Sequence, residues 1–340
     1  MYKRIILAAL SSLILGVFTG CSNLVTQYPT PLPLTRNINV EPTGTITTTK
    51  PQTEISTSTV SPVLVSSHIS GWAVYSFWVS QNPAISQIFL KNLETGEVVQ
   101  LTHSGNNSDP IWSPDGSQIM YLSWTKENSF DIYLMDKDGK DQRPIVASPA
   151  EEIMPDWSPD GSKIAYVSNQ DGNDEIYTID LKTNIVNKLA INISPNTGYE
   201  KWSPGSPKWS PDGKQIAFIS TTGISNTSQV FVMNVDGTNV RALTDYDLHY
   251  DDSPVWCPDS SCIIFERDLP KLMLFDFEHK AFTPLFDDIF PADQGELGLA
   301  RTFMRGYITF SVDGMFYAMD LKSREIYLLG VKAMDLSLYP

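Results

Sequence analysis

Four times along this chain a tryptophan is followed by a Pro-Asp turn and a short apolar run: Trp112-Ser-Pro-Asp-Gly116, Trp157-Ser-Pro-Asp-Gly161, Trp209-Ser-Pro-Asp-Gly213 and Trp256-Cys-Pro-Asp-Ser260. The copies start 45, 52 and 47 residues apart, the size of a repeated supersecondary unit. In each, Pro presets φ at the second turn position, Asp can bond its own backbone, and Gly accepts φ > 0. That is hairpin chemistry. The runs that follow, Ile119-Met-Tyr-Leu-Ser123, Ile164-Ala-Tyr-Val-Ser168, Ile216-Ala-Phe-Ile-Ser220 and Ile263-Ile-Phe265, are rich in β-branched and aromatic residues and too short for helices. Each is predicted to be a strand.

A second repeat lies further along each unit, where an apolar strand ends in Asp or Asn before another turn. It occurs six times, at Asn92, Asp136, Asp180, Asn234, Asp276 and Asp320, at intervals of 44, 44, 54, 42 and 44 residues. Two flanking units therefore lack the Trp motif but keep the outer hairpin. Six units of four short strands predict an all-β fold, a six-bladed β-propeller of four-stranded antiparallel blades. A linear stack would need polar caps at both ends, and here the ends look complementary instead. The first unit opens with Ala73-Val-Tyr-Ser76, aligned with Ile119 to Leu122, and has no innermost strand ahead of it, whereas Met334-Asp-Leu-Ser-Leu-Tyr339 trails the last unit unpaired. The C-terminal strand is expected to close the ring as blade one's inner strand, with Tyr339 in the Trp position.

The Trp-Ser-Pro-Asp-Gly turn followed by Ile-Ala-Phe or Ile-Ala-Tyr resembles the TolB-type propeller repeat, over residues 71 to 340. The resemblance implies the fold and says little about function. It is to the propeller module; no counterpart of TolB's separate N-terminal α/β domain is expected.

Residues 1–20 read as a lipoprotein signal peptide. Lys3 and Arg4 precede an apolar stretch of signal length, and Phe18-Thr-Gly-Cys21 resembles a bacterial lipobox with Phe in place of the usual aliphatic residue. That resemblance implies lipidation at Cys21 and anchoring to the cell membrane or outer membrane, the propeller facing the periplasm or cell surface; an ordinary cleavable signal is the alternative. Residues 21–68 are rich in Thr, Pro and Ser and nearly free of aromatics, which predicts a disordered tether on the order of 40 Å long. Residues 69–340 are the expected propeller.

The formal charge of −15 argues against nucleic acid or an anionic membrane surface as partner. A monomer is expected. Cys257 and Cys262 flank the blade-five turn and, in an exported chain, favour a local disulfide over two free thiols. Two Cys with no nearby His do not make a zinc site.

The four motif tryptophans are expected to pack between sheets rather than to hold ligands, because they recur at one place in every unit. Trp202 differs: Lys201-Trp-Ser-Pro-Gly205 is a partial motif inserted before Trp209, on an expected loop where exposed aromatic surface would suit a partner, which puts Trp202 in the candidate binding face. The loops leading into the inner strands offer Asp109, Glu151, Glu152, His249, Asp251 and Asp252, a candidate binding face around the channel mouth. Converging carboxylates there could hold Ca²⁺, but none has the spacing of a dedicated metal loop, so a solvated acidic rim is preferred and no cofactor is expected. No Gly-x-Ser-x-Gly elbow, phosphate loop or metalloprotease motif occurs, and no catalytic residue is assigned. The sequence reads as a non-catalytic module of the cell envelope gripping a protein, peptide or glycan. The rival reading is an extracellular propeller-fold polysaccharide lyase or glycoside hydrolase, with His249 or Asp252 at its centre.

Overall fold

In the computed structural model, the described residues are 64–65, 69–124, 129–189, 203–221, 227–244, 249–268, 271–285, 297–304, 307–312, 314–321 and 325–339. They form twenty-five strands. A two-residue strand β1 (Leu64–Val65) comes first, then blade one with β2 (Trp72–Gln81), β3 (Ala84–Asn92) and β4 (Val98–Gln100). Blade two has β5 (Asn106–Trp112), β6 (Gln118–Trp124), β7 (Phe130–Asp136) and β8 (Arg143–Val146); blade three has β9 (Glu152–Trp157), β10 (Lys163–Ser168), β11 (Glu175–Asp180) and β12 (Val186–Lys188). Blade four follows with β13 (Ser203–Trp209), β14 (Gln215–Thr221), β15 (Ser228–Asn234) and β16 (Arg241–Ala242), and blade five with β17 (Asp251–Trp256), β18 (Cys262–Arg267), β19 (Lys271–Asp276) and β20 (Ala281–Pro284). Blade six comprises β21 (Leu297–Met304), β22 (Tyr307–Val312), β23 (Met315–Asp320) and β24 (Ile326–Lys332), and β25 (Asp335–Tyr339) returns to pair with β2. The six third strands end at the six Asp or Asn positions read from the sequence.

Alternation along the second strand of each blade explains the Ile-x-aromatic signature. Ile164 and Tyr166 pack toward blade two, against Met120, Leu122, Ile132 and Leu134. The intervening Ala165 and Val167 pack toward blade four, against Ile216, Phe218 and Phe231. Both faces of each sheet are thus buried, and each fully buried apolar side chain contributes about 1.5–3 kcal/mol. Six such clusters join consecutive blades, the last uniting Phe316, Ala318, Leu329 and Val331 of blade six with Ala73, Leu336 and Leu338 of blade one. The sheets therefore form a closed ring, a six-bladed β-propeller.

Closure follows the expectation with one correction. Leu338, not Tyr339, stands opposite Ala73, as Trp112 stands opposite Ile119, and it faces the preceding blade as the tryptophans do. Tyr339 lies one residue further on and turns to the other side. Its ring sits 5.4 Å from that of Trp112, and its hydroxyl donates to the Asp115 carbonyl at 3.0 Å. A Cβ at Gly116 would lie 2.1 Å from the Tyr339 ring, and Gly116 has φ +68°, so only glycine fits.

The turns are locked alike in successive blades. Ser113 Oγ donates to Asp115 at 2.7 Å and accepts from the Gln118 amide at 2.9 Å; Ser158 with Asp160 and Lys163, and Ser210 with Asp212 and Gln215, repeat the pattern. Hydrogen bonds from these serines, first among the causes, hold the carboxyls of Asp115, Asp160 and Asp212 below the ordinary range. In blade five Ser260 takes the glycine's left-handed conformation (φ 61°), and its hydroxyl accepts the Asp212 amide at 3.2 Å. Cys257 and Cys262 are bonded across that turn, their Cα atoms 5.1 Å apart.

A further regularity sits three residues ahead of each motif tryptophan. Asp109, Met154, Ser206 and Ser253, with φ of 47° to 54°, each precede a proline at a bulge in the inner strand. Proline has no N–H to give the ladder, so it is accommodated where the ladder breaks. Finally, Leu64 and Val65 fall in the segment whose composition predicts a tether, yet they pair in parallel with Ile326 and Tyr327 on the open edge of β24.

Candidate functional site

The turns lie on one face of the ring; the loops joining second to third strands, and those crossing from one blade to the next, lie on the other. Each crossover holds a polar junction. Between blades one and two, Gln87 Oε1 accepts from Thr102 Oγ1 at 2.6 Å and from Asn107 Nδ2 at 3.1 Å. Between blades two and three the same places are taken by Asp131, Ser148 and Glu152, and Ser148 Oγ donates to Glu152 Oε1 at 2.6 Å. The Asp131 carboxyl adjoins Glu152, and Ser168 Oγ also approaches Glu152, at 3.4 Å. Burial, with the Asp131 charge adding to it against the Ser148 hydroxyl, pushes the Glu152 carboxyl up to about 7. Glu152 is therefore partly protonated near neutrality.

Between blades four and five the junction carries Asp251, whose carboxylate takes both arms of the Arg267 guanidinium, Nε at 2.7 Å and Nη2 at 2.9 Å. The guanidinium carbon lies 5.4 Å from the ring centres of Phe265 and Phe282. In blade two, among the described residues, a cavity of about 850 Å³ is lined by Tyr121, Ser123, Trp124, Asp131, Tyr133 and their neighbours. Burial first, then the Asp131 charge, raises the Tyr133 hydroxyl above its usual range.

The predicted binding face divides on this geometry. Glu152 and Asp251, 0 % and 1 % exposed, are buried in the junctions and are withdrawn from any contact surface. Their place beside the bulges turns them inward. Glu151 and Asp252 stay partly exposed, pointing away from their buried neighbours as adjacent strand residues must. Asp252 accepts from the Tyr250 hydroxyl at 3.1 Å and the Ser253 amide at 2.6 Å. Asp109 donates its amide to Asp335 at 3.0 Å, tying blade two to the closing strand. His249 Nδ1 lies against the Asp268 carboxylate, whose other oxygen accepts the Tyr250 amide at 2.9 Å. Trp202 falls outside the described residues, and Cys21 does too. Two of the motif tryptophans carry their indole N–H to the preceding blade, Trp157 to the Ile111 carbonyl at 3.5 Å and Trp256 to that of Lys208 at 3.0 Å, which is the packing role expected of them. Among the described residues no three His, Cys, Asp or Glu side chains group in a way suited to a metal ion.

Sequence reasoning missed Arg267, Asp131 and the cavity. Arg267 carried a signal: it stands fifth in the run that opens at Ile263, where the other Trp-motif units have Ser123, Ser168 and Ser220.

The family model for the TolB beta propeller domain matches residues 55–271. The Tol-Pal system protein TolB of Francisella tularensis subsp. mediasiatica is 26 % identical over 193 residues, covering 56 % of this chain and 42 % of the relative. The chain thus spans less than half the length of that relative. Among solved structures, TolB from Acinetobacter baumannii superposes with a TM-score of 0.55 at 20 % identity, covering 79 % of this chain and 67 % of that one. An oligogalacturonate lyase in complex with manganese superposes with a TM-score of 0.53 at 16 % identity, covering 75 % and 73 %. At such identities the two structures share the fold alone. With a family match over most of its length and a ring of six Trp-Pro-Asp or derived blades, the chain belongs to the TolB β-propeller domain family.

Proposed function

We propose that this chain is a non-catalytic binding module of the cell envelope, exported, anchored by lipid at Cys21 and held off the membrane by its Thr/Pro/Ser-rich segment. The observation that supports this reading is how the acidic residues of the inner strands are engaged. Asp251 is neutralised by Arg267, Asp335 accepts from Ser76 and Asp109, and Asp156 accepts from Lys208 and the Trp209 amide. The last two carboxylates join blades and the first is paired within its own, whereas a glycosidase needs two facing one bond. The similarity to Tol-Pal TolB proteins favours a protein partner over a glycan.

Crosslinking on intact cells, followed by mass spectrometry, tests the reading. One envelope protein should be recovered repeatedly, and it should be lost when Glu151 and Asp252 are both replaced by Ala. Turnover of a polysaccharide that disappears in His249→Ala would overturn the reading in favour of a lyase. Fatty-acid labelling of the wild type, absent from Cys21→Ser, tests the anchor separately.

A further inference from the structure

The central hairpin of blade one outgrows its counterparts. Strands β2 and β3 run for 10 and 9 residues, against 6 or 7 for the second and third strands of the other blades. Register makes the pair Trp78 and Ser86 equivalent to Trp124 and Phe130 of blade two. Past that level blade one adds two more pairs, Ser80 with Ile85 and Gln81 with Ala84, which carries its tip about 7–10 Å further out on the crossover face. The side chains there are not those of the repeat. Where blades one and two have Trp78 and Trp124, blades three, four and five have Asn169, Thr221 and Asp268. Phe77 takes the place of Ser123, Ser168 and Ser220; those serines are buried, whereas Phe77 is 41 % and Val79 50 % exposed. Trp124 is 36 % exposed and meets Phe130 edge-on at 4.7 Å. The two blades are tied at this level, since Ser86 donates its amide and its hydroxyl to Asn106 Oδ1 at 2.7 and 2.9 Å, and Asn106 stands opposite Trp124.

Charge is the second observation. The 19 residues from Trp72 to Leu90 include no Asp, Glu, Lys or Arg, in a chain with 39 acidic and 24 basic side chains. We propose that the ridge formed by Phe77, Trp78 and Val79 of blade one with Trp124 of blade two enters the headgroup region of a lipid bilayer. Aromatic side chains on an uncharged, preformed edge settle where headgroups meet acyl chains, while the net charge of −15 keeps the rest of the chain off anionic lipid. The sequence ahead of the propeller favours a membrane over another occupant. Cys21 lies 43 positions before Leu64, and a coil of that length spans on the order of 40 Å. An anchored ring stays within reach of the surface, so a contact of a few side chains, weak from free solution, becomes effective. The inference rests on the proposed anchor for that reach alone.

The test is tryptophan quenching by brominated phosphatidylcholine, with the full chain reconstituted into vesicles of that lipid and phosphatidylethanolamine. The wild type should be quenched. Phe77→Ser with Val79→Ser, which keeps both reporter tryptophans, should reduce the quenching at least about threefold with the melting temperature unchanged. Trp78→Thr with Trp124→Thr, using the residue of blade four at that level, should remove nearly all of it, and added phosphatidylglycerol should weaken it in the wild type. No quenching of the wild type, equal quenching of Phe77→Ser with Val79→Ser, quenching that survives loss of both tryptophans, or stronger quenching on anionic vesicles would each overturn the proposal. So would an unquenched dimer that dissociates in Phe77→Ser with Val79→Ser, since a second copy would then cover the ridge. Retention on the vesicles, compared with Cys21→Ser, reads the anchor separately: a chain retained but unquenched would remove the ridge and leave the anchored module, whereas quenching undiminished in Cys21→Ser would keep the ridge and remove the anchor.

Discussion

The two faces of this ring are built from the same blades and obey different rules. On the turn face, Ser113, Ser158 and Ser210 make the same pair of bonds in successive blades, and Tyr339 is accommodated only because Gly116 has no side chain. On the crossover face, one junction position holds Asn107 in blade two, Glu152 in blade three and Asp251 in blade five, each satisfied differently. Uniformity on one face fixes blade geometry, and that frees the other face to vary.

The contrast predicts where damage is severe. Deleting residues 333–340 removes β25, and with it Leu336 and Leu338 from one interblade cluster and Tyr339 from the next. The truncated chain should show no cooperative unfolding transition by calorimetry; unchanged melting would refute ring closure. On the crossover face, Arg267→Met leaves the Asp251 carboxylate buried without its cation and should cost about 3 kcal/mol in urea unfolding. Ser123→Ala, the matching position of blade two, should stay within about 0.5 kcal/mol. Equal effects would mean that the Asp251–Arg267 pair adds nothing that blade two's serine lacks.

Glycines sharpen the comparison. Gly116→Ala should cost about 2 kcal/mol, because the Tyr339 ring must move as well as the backbone strain being met. Gly172→Ala on the crossover side, at φ +90° with open space around it, should cost only the backbone share, about 1 kcal/mol. In a Tyr339→Ala background the Gly116→Ala cost should fall to that same backbone share, a coupling that a double-mutant cycle measures.

The remaining effect depends on pH and concerns Glu152. Its carboxyl is held up at about 7 against an ordinary 4.5, so between these values the folded chain keeps a proton that the unfolded chain releases. Stability from this group is full below the lower value and is lost as pH rises through the upper one. Glu152→Gln should therefore raise stability at pH 8 by on the order of 1–2 kcal/mol and leave it nearly unchanged at pH 4, as read by melting at both. A gain at pH 4 alone would reverse the sign and refute the buried carboxyl pair.

Blade number, strand order, closure and the Cys257–Cys262 bond were legible because each is written locally and then repeated. Tyr339 was misplaced by one residue for a physical reason. Counting along a Trp-motif unit includes the bulge before Pro110 or its equivalents, whereas β25 pairs with β2 without a shift. The prolines two residues ahead of Trp112, Trp157, Trp209 and Trp256 were in plain sight and announce that bulge. The burial of Glu152 and Asp251 was not readable, since it depends on which blade's loop crosses above them. The pairing of Asp251 with Arg267, sixteen residues apart, emerges only once the register of β17 on β18 is fixed.

Because β25 follows all the other blades in the chain and β2 precedes them, the opening sheet must stand incomplete while the five between are synthesised. Long-range pairing of this kind is slow and leaves an unsatisfied edge for the duration. A nascent chain of this design stays pliable until β25 has been made, and only then can its ring harden as a whole.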